Sequence, residues 1–236
     1  MGYVPGNEVN PVPFGIPLAL GQYTELSGVQ KFGYNASVGT SFETIWDGGG
    51  SYVFPTTATT AAVASTSGDD ANATITVEGL DGNYAQVSET ITVGTTGTQL
   101  FHRVHRAYLV DPGAGETTNV GDITITVNSL TVAQILAGNG QTLMCVYTVP
   151  AHCRGFLLAA NGGVSKNQET EWRVMASEIE DGAARVKTYE TGIGTSFHRT
   201  YQIIERFEPK TDIYMEAKCN ATAGVSGGFE LLLETR

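Results

Sequence analysis

The sequence predicts an all-β protein: two antiparallel β-sandwich or jelly-roll-like modules behind an extended, proline-rich N-terminal arm. Three observations predict it. Short runs alternate apolar and polar residues with the period of two that a half-buried strand requires, as in ATITVEGL (73–80) and SETITV (88–93). β-Branched Val, Ile and Thr dominate those runs, and such side chains pack well on a pleated surface. Turn residues, with Gly 29 and Pro 8 in a chain of 236, recur often enough to exclude long helices.

The elements follow in order. Residues 1–34 read as the arm. Pro5, Pro11, Pro13 and Pro17 remove backbone donors and disfavour helix. Phe14, Ile16, Leu18 and Leu20 alternate around them and predict a partner-binding face, laid on this chain or on a neighbour. Residues 35–131 read as the first β module, with strands at 73–80, 88–93, 99–110 and 122–130 and a tight turn at Asp81-Gly82. VAQILAGN (132–139) reads as a short helix stopped by Gly138-Asn139-Gly140, so residues 132–140 are expected to form a helical hinge. Residues 141–236 read as a second, jelly-roll-like module. Its strands are expected at 141–150, 151–164, 171–179, 184–192, 198–207, 211–220 and 227–235, at turn spacings of roughly 8–12 residues.

Charge narrows the function. The net charge is −11, and residues 1–100 hold one basic residue, Lys31, against nine acidic ones. Such a surface repels a phosphate backbone, which argues against nucleic acid as the main partner. No apolar run approaches the roughly 20 residues that span a bilayer as a helix. The N-terminus lacks a basic region ahead of an apolar one, so no secretory signal is expected. Cys145, Cys153 and Cys219 show no CxxC spacing. Reduced thiols are expected, with one Cys145–Cys153 or Cys153–Cys219 bridge left open.

Two stretches concentrate unusual residues. TSFETIWDGGGSYVFPTTATT (40–60) has neither the Gly-Lys-Ser/Thr of a phosphate loop nor a following helix. Asp47 ahead of Gly48–Gly50 reads as a tight turn, with Trp46, Tyr52 and Phe54 anchoring its flanks. FHRVHR (101–106) is a basic ribbon on an acidic chain. Its two histidines alternate faces in a strand and suit no metal. Arg103, His105 and Arg106 are therefore expected to meet carboxylates of a partner protein. Asp69, Asp70, Asp81, Glu116 and Asp122 lack the DxDxDG spacing of a calcium loop. No GxSxG, HExxH or paired-carboxylate pattern occurs, so no catalysis, metal or cofactor is expected.

The segments KFGYN (31–35), IWDGGGSYVFP (45–55), GQTLMCVYTVP (140–150) and VSGGFELLLE (225–234) resemble those of virion structural proteins of tailed bacteriophages, a group common in marine and freshwater phages. The resemblance covers most of residues 31–236. It implies a non-enzymatic particle component, made in a bacterial cytoplasm and located in the virion. The role expected first is a capsid decoration or cement protein. It would bind the outside of the major capsid protein shell and copies of itself, as a homotrimer or homodimer. A tail, baseplate or fibre component involved in assembly or host attachment is the alternative. Nucleic acid, membrane and small-molecule substrates are not expected as partners.

Overall fold

The computed structural model describes residues 14–113, 115–178 and 182–236. A five-residue helix, α1 (Gly15–Ala19), comes first. Strands β1 (Leu26–Val38) and β2 (Glu43–Thr44) follow. The chain then leaves to build a sandwich from β3 (Thr59–Ser65), β4 (Thr74–Leu80), β5 (Gln86–Thr92), β6 (Thr96–Phe101), β7 (Arg103–Asp111), β8 (Ile123–Val127) and β9 (Leu130–Ile135). It returns as β10 (Val146–Thr148), β11 (Cys153–Val164), β12 (Glu169–Ser177), β13 (Ala184–Ile193), β14 (Ser196–Phe207), β15 (Asp212–Cys219) and β16 (Ala223–Thr235).

The all-β class expected from the alternating runs is what forms. One pair of sheets has the orders β1-β16-β11-β14 and β10-β15-β12-β13, with β2 also pairing β15. Successive strands cross between the two sheets at most turns, which is the double Greek-key connectivity of a jelly roll. Its core gathers Trp172, Phe207, Met215, Phe229, Leu231 and Leu233. The second pair, β6-β3-β8-β9 and β5-β4-β7, is a smaller sandwich with its own core around Ile75, Phe101, Ile123, Ile125 and Ile135.

The division of the chain differs from the expected one. β1 pairs antiparallel with β16 along Leu26↔Glu234 to Asn35↔Val225, so residues 26–34 are a jelly-roll strand and not part of an arm. The small sandwich is an insertion. β2 and β10 lie on the same neighbour, β15, and act as two pieces of one interrupted strand. The expected hinge helix at 132–140 is instead the end of β9 and a turn. Val132, Ala133 and Ile135 are buried in the insert's core. VAQIL fits either periodicity over so short a run, and tertiary burial decides for the strand.

Of the expected arm, residues 1–13 lie outside the described residues. The next five-residue element is helical despite Pro17. That proline sits in the first turn, where its missing N–H would have had no intrahelical acceptor.

The neck of the insertion is closely fitted. Ile45 N donates to Met215 O at 2.9 Å, Met215 N to Cys145 O at 3.0 Å, and Cys145 N to Ile45 O at 2.9 Å. Gly33 faces this crossing: a Cβ there would collide with the Ile45 carbonyl and the Cys145 amide. Two residues further out, Asp47 N donates to Leu143 O at 3.0 Å and Leu143 N to Asp47 Oδ2 at 2.7 Å. Among the described residues, Asp47 Oδ1 is buried without a partner.

Burial raises the Asp47 carboxyl to about 7. A carboxyl raised on folding contributes stability below the ordinary carboxylate range and loses it as pH climbs through its folded value. Chemical denaturation of Asp47→Asn should therefore show a flatter dependence of stability on pH between about 4 and about 7. An unchanged slope would show that Asp47 is not a source of it.

Candidate functional site

The sequence features singled out above converge where the two modules meet. Arg103, at the start of β7, is buried and forms a two-pronged ion pair with Asp212 at the start of β15, Nε to Oδ1 at 2.9 Å and Nη2 to Oδ2 at 3.0 Å. Its Nη1 donates to Pro55 O at 2.7 Å and His102 O at 3.0 Å. Thr148 Oγ1 donates to Asp212 Oδ1 at 2.6 Å. The guanidinium lies over the rings of Phe54 and Tyr84, with centroids at 5.1 and 5.4 Å. Burial opposes its charge, but the hydrogen bonds and charge of Asp212 outweigh this and hold the guanidinium above its ordinary value.

Two residues on, His105 is also buried. Its Nε2 accepts from Thr148 N at 3.1 Å, which fixes a neutral tautomer, and its ring packs on Tyr147 at 4.2 Å. Burial, with the nearby charges of Lys31 and Arg103, keeps it well below the usual histidine range. Lys31 from β1 donates to the His105 carbonyl.

The expected basic ribbon is thus divided. Arg103 and His105 face the jelly roll and join the modules, so neither is free to meet a partner. Arg106 alone is exposed, donating to Gln141 Oε1 at 2.8 Å. The alternation of a strand placed Arg103 and His105 on one face correctly. The counterion that allows burial lies 109 residues away, beyond any local pattern.

The turn reading of residues 46–50 holds. Gly49 N donates to Trp46 O at 3.1 Å, and Gly49 and Gly50 adopt φ of 67° and 62°. Trp46, Tyr52, Phe54 and Tyr214 then run edge to face across the junction, with centroid spacings of 5.1, 4.9 and 5.8 Å. Asp70 is structural: its buried carboxylate accepts from Ser65 Oγ at 2.5 Å, Val120 N at 2.8 Å and Gly121 N at 2.9 Å. Among the described residues no cluster of three or more His, Cys, Asp or Glu side chains is placed to hold a metal. The three cysteines are free, which closes the question of a bridge. Burial raises the Cys145 thiol to about 12.

The N-terminal apolar residues stand mostly in solvent. Phe14, Ile16 and Leu20 are 48%, 50% and 68% exposed, while Leu18 is half-buried against Gly28 of β1. A surface that sequence reasoning missed lies on the opposite flank. The insert covers the β1 and β10 side of the jelly roll, whereas β13 and β14 end their sheets with outer edges unpaired among the described residues. β14 carries a wide bulge between the pairs Ala159↔Thr200 and Leu157↔Glu205. Ile203 at its tip is 91% exposed, and Ile193 on β13 is 67% exposed. Only a spatial arrangement reveals this flank, because the strands look ordinary in sequence.

No protein-family model matches the chain, and no curated protein matches it. Among solved structures, the chain is similar to infectious bursal virus derived T=1 particles, at 9% identity over 90% of this chain and 70% of that one, with a TM-score of 0.28. The structure of infectious bursal disease virus Gt strain gives 11% identity over 95% and 76%, with a TM-score of 0.25. A bacterial lipoprotein from Bacteroides thetaiotaomicron gives 10% identity over 89% and 95%, with a TM-score of 0.21. At these scores the likenesses carry no weight for fold or function, and the jelly-roll description rests on strand order alone.

Removing one member of a buried, hydrogen-bonded ion pair strands the other, at a cost of about 3–5 kcal/mol. Arg103→Met should lower stability in urea by about that amount. Adding Asp212→Asn should recover part of the loss, since no unpaired charge then remains while the Thr148 hydroxyl keeps an acceptor. If the double variant is no more stable than Arg103→Met alone, the stranded charge is not the cause.

Proposed function

We propose that the chain is a non-enzymatic structural protein of a tailed-phage particle. Within it, we assign a capsid decoration or cement role: binding the outside of the major capsid protein shell, with copies of itself as further partners. The observation that carries the reading is the uncovered β13–β14 flank. Two long strand edges and a protruding Ile203 invite pairing with another protein unless a partner covers them. Jelly rolls serve in viral capsid and lectin domains, although the fold alone assigns no function.

The phage-like segments 31–35, 45–55 and 140–150 support the same reading from a second direction. They meet at the neck that joins insert to jelly roll, so the resemblance follows the architecture and not scattered surface loops. A tail, baseplate or fibre component is the second reading, favoured by the polar cavity between the modules.

A cement protein binds the assembled shell in preference to separated subunits, and so shifts the balance toward the intact particle. Particles stripped of this protein should lose their genome at a lower temperature, and re-addition should restore them. In a gel of purified particles its band should rival that of the major capsid protein. Ile203→Asp should impair re-binding without changing the melting temperature of the isolated chain. Equal heat stability of stripped particles, or a band at the level of minor tail proteins, would overturn the decoration role.

A further inference from the structure

An open cavity of about 530 Å³ lies between the modules, lined by β1 on one side and by β4, β5 and β7 of the insert on the other. That volume falls in the range of roughly 300–1,000 Å³ typical of small-ligand sites. Two of its wall groups, His105 and Tyr147, pack on each other at the junction, and Lys31 is only partly satisfied there. Its side chain is nine-tenths buried, with 9% exposed, yet among the described residues its ammonium meets one acceptor, the His105 carbonyl. An ammonium carries three donors, and a buried donor left without an acceptor is costly.

The surroundings define what would complete it. Burial lowers Lys31 to about 8, so it remains a cation at neutral pH. Arg106 lines the opposite wall, close enough for its charge to act on Lys31, with Nη2 engaged by Gln141 and its guanidinium over the Tyr108 ring at 4.7 Å. Glu78 supplies one carboxylate, also felt at Lys31, and Gln86 and Ser88 add neutral polar groups. His105 is neutral, for the reasons given above. The cavity lining therefore carries two cations and one anion. That balance suits a monoanion and opposes a dianion such as sulfate, which Glu78 would repel.

We propose that this cavity binds a carboxylated sugar of the uronic-acid class. Its carboxylate sits between Lys31 and Arg106, and its hydroxyls bond Glu78, Gln86 and Ser88. The site belongs to the modules' junction and stands whether the protein sits on the head or the tail of a particle. It adds a ligand where the sequence led to none being expected.

The test is a titration of the full chain with D-glucuronate, and separately with D-glucose and with sulfate, followed by amide chemical shifts. Glucuronate should give saturable shifts around Lys31, Gly79 and Ser88, and neither glucose nor sulfate should. Arg106→Gln changes an exposed side chain and should leave the fold intact while weakening glucuronate binding about tenfold or more. Lys31→Met, with its melting temperature measured alongside, should abolish it. The absence of saturable shifts with glucuronate overturns the proposal. So does equal binding of glucose or sulfate, or an affinity that Arg106→Gln leaves unchanged.

Discussion

Both ends of the inserted sandwich are held by the backbone of one residue. Met215, in the middle of β15, accepts from Ile45 where the chain departs and donates to Cys145 where it returns. A strand of the jelly roll has in effect been cut, and its two ends remain pinned to the same neighbour. Backbone groups buried at such a crossing must find partners, and here the cut ends also bond each other. The close approach leaves no room for a side chain at position 33. The insert can therefore be attached only where a glycine faces the cut.

The hydrogen bonds of the neck alone would still permit the insert to swing. The contact between Arg103 and Asp212 stops it, because a planar fork meeting a carboxylate fixes direction as well as distance. Thr148 shares both sides of this lock, its hydroxyl on Asp212 and its amide on His105. A buried ion pair is weak evidence for stability when set against an apolar replacement. Its value here is orientation: the cavity beside Lys31 exists only while the two modules keep one relative pose.

Much of the fold was legible in the sequence because strands announce themselves locally. The alternation in residues 73–80 and 227–235 marked β4 and β16. Asp81-Gly82 marked a turn that the Asp81 side chain closes by accepting from Asn83 N at 2.8 Å and Ala85 N at 2.9 Å. What failed was everything set by distant partners. Residues 26–34 read as arm because they follow the proline-rich stretch, and the strand that claims them, β16, is about 200 residues further on. Arg103 and His105 looked like surface chemistry because a buried charge is expensive. Asp212 removes that objection, and no local signal foretells it. The candidate site was legible as a set of odd segments, 31–35, 45–55, 101–106 and 140–150. Their meeting in one place was not.

The pairing of β1 with β16 has a consequence for the order of events during synthesis. Leu26 lies opposite Glu234, so the first sheet of the jelly roll cannot close until β16 has left the ribosome. The insert is different: its strands all lie between residues 59 and 135, and its core is its own apart from the neck. Contacts close in sequence form first, and distant ones wait on the cost of closing a long loop. Chains emerge N-terminus first and domains tend to fold as units. The small sandwich thus takes shape while β1 still waits, unpaired, for a strand not yet made. That interval leaves one long strand edge open to other chains.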